Sequence, residues 1–141
     1  VPEGLRGVAG STRAGNYTRY KDYMARANDE IGLIVQIESQ EALDHLDEIC
    51  RVPGVDAVFI GPSDLAASLG YRGQAGHAHV QAAIAQAFKT ANAAGKAAGV
   101  LAADGKADHY FEGGATLVGV GTDLHLLMAG ADAVAAKYRL A

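Results

Sequence analysis

"GVDAVFIGPSDLAASLG", residues 54–70, carries an apolar run, Ala57–Ile60, that ends in Gly61-Pro62 and meets an acid at Asp64. Such a run reads as a buried strand, and Gly-Pro stops it. The carboxylate that follows has two readings. It caps the next helix, Asp being a favoured N-cap residue, or it binds something at the strand's end. What surrounds the stretch decides which kind of sheet it belongs to.

Upstream, residues 31–37 (IGLIVQI) form another β-branched apolar run. Residues 39–50 then place Ala42, Leu43, Leu46, Ile49 and Cys50 at helical spacing, with Ser39 as the N-cap. Pro53-Gly54 punctuates, and the next strand takes residues 55–60. An Ala-rich helix over 79–94 stops at Gly95, a short strand follows at 97–101, and a helix over 106–111 ends at Gly113-Gly114. Residues 115–120 make a fourth strand, and Thr122-Asp123 starts a last helix reaching 138. Ahead of these, residues 17–28 read as a helix with Tyr20, Tyr23, Met24 and Ala27 on one face.

Wholly apolar strands alternating with helices predict a parallel sheet covered by helices. Right-handed crossovers make it a doubly wound sheet or an arc of a (β/α)8 barrel. A dinucleotide fold is poorly supported: Gly119-Val120-Gly121 carries two of the three glycines that its fingerprint needs.

The chain has 141 residues, half of them hydrophobic and a fifth charged, which reads as an ordinary soluble globular protein. A net charge of −4 without a Lys/Arg cluster argues against nucleic acid as a partner. No apolar run reaches membrane-span length, and no signal-peptide pattern is present, so neither membrane nor export is expected. A single cysteine, Cys50, cannot form an internal disulfide, and a reducing cytoplasm is the expected compartment. Cys50 reads as core packing. Starting Val1-Pro2 rather than with Met, the chain reads as processed or partial.

Period-two alternation on residues 31–37 puts Ile34, Gln36 and Glu38 on one face and Val35 and Ile37 on the other. A polar Gln36 and an acid Glu38 at a strand's carboxyl end are costly in a dry core unless paired or used. Asp64 also follows a strand's carboxyl end, one βα repeat later. Both acids therefore sit at one edge of a parallel sheet, the edge where α/β barrels build their sites. Two carboxylates there serve as acid and base, or share a hard cation such as Mg²⁺ or Mn²⁺. Helix capping by Asp64 remains open beside these. The turn lets the backbone N–H groups of Ser63 and Asp64 approach an anion.

"LRGVAG", "RYKDYMARAN", "LIVQIES", "GVDAVFIGPSDLAASLG", "AAGKAAGVL" and "VGVGTDLHLL" occur in this order. Together they resemble the carboxyl-terminal part of the HpcH/HpaI aldolase family. The resemblance spans essentially the whole chain and implies an α/β fold, the carboxyl-terminal half of a (β/α)8 TIM barrel in about four βα units, with residues 1–141 a single partial domain. It implies a class II, pyruvate-specific aldolase that acts on a 2-oxo acid and an aldehyde, depends on Mg²⁺, Mn²⁺ or Co²⁺, and forms a homo-oligomer. Glu38 and Asp64 match the metal-binding acids, Gln36 matches a substrate contact, and Ser63 and Asp64 match the positions whose backbone meets the pyruvate carboxylate.

The resemblance also marks departures. A (β/α)8 barrel takes about 250 residues. The family's base His, its supporting acid and its Arg fall in the half that would precede Val1, so no catalytic residue is assigned in this chain. Ala78 stands where relatives often have Pro. Two alternatives stay open: a CoA-ester lyase of the citramalyl or malyl type, and a non-catalytic half-barrel fragment. No Schiff-base lysine is required, and Lys96, near a strand's start, belongs to the opposite edge. His45, His77, His79, His109 and His125 read as solvated, loop or cap residues, Thr122-Asp123 as a helix cap, and Arg6 as a structural ion pair. Tyr17, Tyr20 and Tyr23 read as helix packing.

Overall fold

The computed structural model describes residues 4–5, 7–102 and 105–138; Arg6 lies outside them. The chain forms two compact units, residues 1–32 and 33–141. The first holds a 3-10 turn at Arg13–Gly15 and helix α1, Tyr23–Glu30. The second holds β1 (Ile34–Ile37), α2 (Gln40–Asp44), α3 (Leu46–Arg51), β2 (Ala57–Ile60), α4 (Pro62–Ser68) and α5 (Ala78–Ala93). It continues with β3 (Ala97–Leu101), α6 (Ala107–Glu112), β4 (Leu117–Gly119) and α7 (Asp123–Tyr138).

The helix expected over 17–28 starts later. Asn16, Tyr17 and Thr18 take left-handed backbone, with φ of 47°, 54° and 75°, and a helix cannot pass through them. Tyr17 is exposed and precedes α1, so packing by all three tyrosines is corrected to Tyr20 and Tyr23, whose ring centroids stand 6.2 Å apart, with the Tyr23 ring also against Gly15. Tyr20 also donates its hydroxyl to Glu30 at 3.0 Å, and that bond to an anion raises its pKa. Because α1 runs on to Glu30 and Ile31 is its C-cap, β1 begins at Ile34 and not at 31.

Among the described residues the four strands are parallel, in the order β1-β2-β3-β4. Sequence neighbours are therefore always sheet neighbours. With crossovers of one hand, an order that never reverses keeps the connecting helices on one side, as in a barrel arc; a doubly wound sheet must reverse. The packing agrees. Ile37, Val58, Ile60, Ala98 and Val100 face a core completed by Leu46, Cys50, Val80, Ile84, Phe88 and Ala91. The opposite face carries Ile34, Gln36, Phe59, Gly99, Leu101 and Leu117, of which Ile34 remains 51% exposed. The sequence's period-two split of Ile34 and Gln36 from Val35 and Ile37 is what the burial shows. On that open face Gly99 leaves room for the Phe59 ring, whose Cδ2 would stand 2.6 Å from an added Cβ.

Helix 39–50 breaks at His45, whose φ of −101° and ψ of 11° separate α2 from α3. Ser39 caps α2 as expected, its Oγ accepting from the Ala42 N–H at 3.1 Å. Ser39→Ala should cost about 1 kcal/mol of stability, read as a shift of the urea midpoint at unchanged slope. Gly95 ends the α5 turn with φ of 72°, a conformation that suits glycine. Thr122 caps α7 by accepting from the His125 N–H at 3.2 Å. Among the described residues no helix is long and apolar enough to cross a membrane.

Candidate metal and substrate site at the strand ends

The site is built where β1 and β2 end. Register pairs Gln36 with Phe59 and Ile37 with Ile60, so Glu38 emerges opposite Gly61. The Gly61 N–H donates to the Ile37 carbonyl at 3.2 Å, closing the ladder beside Glu38. Its own carbonyl accepts from the Leu65 N–H at 2.9 Å and opens α4. Pro62 occupies the first helical position, where a missing N–H costs nothing. Leu65 and Ala66, both fully buried, anchor the helix. Across the top, the Gln40 N–H donates to Ser68 Oγ at 3.0 Å, tying α2 to α4 and hence the segment after Glu38 to the helix bearing Asp64.

Glu38 is half-buried and Asp64 exposed. Among the described residues neither carboxylate has a hydrogen-bond or ion-pair partner. Asp64 does not cap α4: Gly61 is the N-cap, and no side chain makes a capping bond there. The capping reading of the opening stretch is thereby corrected. Asp64 stands in the first turn, where a negative charge is favoured by the helix dipole, and its oxygens are left to solvent or a ligand. The backbone N–H groups of Ser63 and Asp64 also lack acceptors among the described residues, as first-turn donors do.

Gln36 and Glu38 meet at Gly61. A Cβ placed on Gly61 would lie 3.0 Å from Gln36 Nε2 and 3.0 Å from Glu38 Oε2. One amide and one carboxylate thus converge on a single point at the strand ends, beside a helix start with open donors. Among the described residues no group of three or more His, Cys, Asp or Glu side chains is arranged to hold a metal. A carboxylate without a protein partner, as Glu38 and Asp64 each are among the described residues, suits a hard cation that keeps its remaining positions for water and substrate oxygens, and does not suit a closed all-protein cage.

The other candidates resolve into structure. Lys96 Nζ donates to the Val55 carbonyl at 2.6 Å, at the opposite edge of the sheet. It lines a groove between α3 and α5 with Cys50, Arg51 and Lys89, where Arg51 is paired with Asp47 at 2.5 Å. Cys50 is buried, and its thiol pKa is pushed up by desolvation and by the Asp47 carboxylate, with Lys96 opposing; it is not a poised nucleophile. His45 pairs with Glu48 at 3.1 Å on the wet side. His77 caps α5 by accepting from the His79 N–H and stacks on Tyr71 with ring centroids 4.0 Å apart. His109 contacts Gln81 at 3.2 Å.

Sequence reading expected a helix capped by Asp64, whereas α4 starts two residues earlier at Pro62, and it missed the part played by Gly61. Pro62 at the first position, Asp64 in the first turn and the Leu65-Ala66-Ala67 run were the available signal for the helix. Nothing in the residues around Gly61 announces a cross-strand contact with Gln36 and Glu38.

Together these features define an α/β protein built as an arc of a (β/α)8 barrel, with Gln36 and Glu38 meeting at Gly61 on its carboxyl edge. The chain belongs to the HpcH/HpaI aldolase/citrate lyase family, whose model matches residues 2–130. Proteins named 5-keto-4-deoxy-D-glucarate aldolase from strains of Escherichia coli are 45% identical over 139 residues, covering 98% of this chain and 54% of theirs. A solved HpcH/HpaI aldolase/citrate lyase family protein from Burkholderia cenocepacia superposes with a TM-score of 0.86 at 38% identity, over 99% of this chain and 55% of that one. An HpcH/HpaI aldolase from Desulfitobacterium hafniense gives 0.76 at 32% identity, over 99% and 56%. The chain thus spans about half the length of the relatives it matches, and it is a partial TIM-barrel-type fold.

Proposed function

We propose that the natural protein containing this chain is a cytoplasmic, homo-oligomeric, divalent-cation-dependent aldolase that makes or breaks the carbon–carbon bond joining pyruvate to an aldehyde. The reading is carried by one observation, the meeting of Gln36 and Glu38 at Gly61 beside the α4 start, in a chain 45% identical to proteins named aldolases.

In this reading Glu38 and Asp64 hold Mg²⁺, Mn²⁺ or Co²⁺. A bound dication supplies Lewis acidity toward the negative charge that develops on the oxo oxygen of a 2-oxo acid. Glu38 is set for its part by the end of β1 and the Gly61 ladder bond, which leave its carboxylate half-buried and unpaired. Gln36, one pleat earlier on the same face, donates its amide to a substrate oxygen and orients it. The N–H groups of Ser63 and Asp64, unsatisfied at the α4 start, receive the substrate carboxylate. The group that moves the methyl proton, and the Arg beside it, are assigned to the half of the relatives' length that this chain does not span.

The test is release of pyruvate from aldol adducts of 2-oxo acids by the intact natural protein, followed by coupled reduction. Chelation should abolish release, and Mg²⁺, Mn²⁺ or Co²⁺ should restore it. Release that survives exhaustive chelation, or turnover of CoA esters in its place, would replace the proposal.

A further inference from the structure

We infer that Gly61 is a positioning residue: the absence of its side chain sets where the Glu38 carboxylate and the Gln36 amide stand. The inference rests on the metal-site reading above and adds a residue to it.

Gly61 has φ of −95° and ψ of 93°, extended backbone that any L residue adopts, so conformation does not demand glycine. Space does. An added Cβ would lie 3.0 Å from Gln36 Nε2, 3.0 Å from Glu38 Oε2 and 3.3 Å from Glu38 Cβ, all closer than ordinary van der Waals contact. The first two atoms are the far ends of flexible side chains and yield readily. Glu38 Cβ is tied to the backbone and gives by only a few tenths of an ångström.

A methyl group at 61 is therefore accommodated by moving the two functional ends. The ladder bond from the Gly61 N–H to Ile37 and the helix bond from Leu65 to the Gly61 carbonyl both involve main-chain atoms alone. They persist when a Cβ is added. The fold should tolerate alanine where the site does not. A carboxylate displaced by even a fraction of an ångström loses the close oxygen distances that a hard cation requires.

The experiment is a Mn²⁺ titration of the intact natural protein by electron paramagnetic resonance, beside thermal melting, for the parent, Gly61→Ala and Glu38→Gln. Gly61→Ala should weaken Mn²⁺ binding by about tenfold or more, on the scale of lost support around a metal ligand. Its melting temperature should stay within about 3 °C of the parent's, within the range of a mild substitution. Parent-like Mn²⁺ affinity in Gly61→Ala, with weakened binding in Glu38→Gln, overturns the role of Gly61 and leaves the metal site standing. Loss of cooperative melting in Gly61→Ala overturns it as well, because Gly61 then serves the fold. Parent-like binding in Glu38→Gln removes the metal site, and the inference with it.

Discussion

Glu38→Gln is expected to lower turnover of the intact natural protein about a thousandfold, equivalent to about 4 kcal/mol of lost transition-state stabilisation. The substitution keeps the volume and branching of the side chain, so its packing against Gly61 is preserved. What disappears is the negative charge. A neutral amide cannot take the carboxylate's share of a dication, and raising the metal concentration should recover only part of the loss. In the parent, the carboxylate has no protein partner among the described residues to compete with a cation. The measurement is kcat and KM against Mn²⁺ concentration. Parent-like kcat at saturating metal would remove Glu38 from the chemistry.

The second large effect is on stability. Phe88→Ala should destabilise the 33–141 unit by about 3–5 kcal/mol, the range for emptying an aromatic site in a core. Phe88 lies on α5, 1% exposed, with the Tyr110 ring edge-on at a centroid distance of 6.3 Å. It is among the largest fully buried side chains, and the Cβ of Phe88 also stands at the turn after α6, where Gly114 has a φ of 102°. The surrounding walls belong to different elements joined through the sheet, which limits their collapse into the space left behind. Urea unfolding followed by far-ultraviolet circular dichroism gives the number. A loss below about 1 kcal/mol would mean that the core closes around the gap.

The alternation of apolar runs with helical periodicity was legible because burial on both sides of a parallel strand leaves little choice of residue. Residues 57–60 and 97–101 were read at or near their true limits for that reason, and Ser39 and Gly95 stood out because caps and left-handed turns favour few residue types. Strand ends were less legible. Ile31 belongs to the C-cap of α1 and not to β1, since an isoleucine is equally at home in either place. Residues 16–18 defeated helical periodicity through backbone conformation, which no side-chain spacing reports. At the site, Gln36 and Glu38 were flagged as costly polar residues at an apolar strand's end, a signal with a clear physical origin. Gly61 carried no such signal. Its meaning lies in atoms of another strand, and only three-dimensional register exposes it.

An unreversed strand order also has a bearing on how the molecule is made. When every strand docks on the one synthesised just before it, β3 never waits for a later segment to fill a gap beside β2. Pairings between adjacent repeats keep loop closure short, which lowers the entropic barrier to each addition. Such a chain can grow on the ribosome one repeat at a time, each new strand covering the edge left by its predecessor.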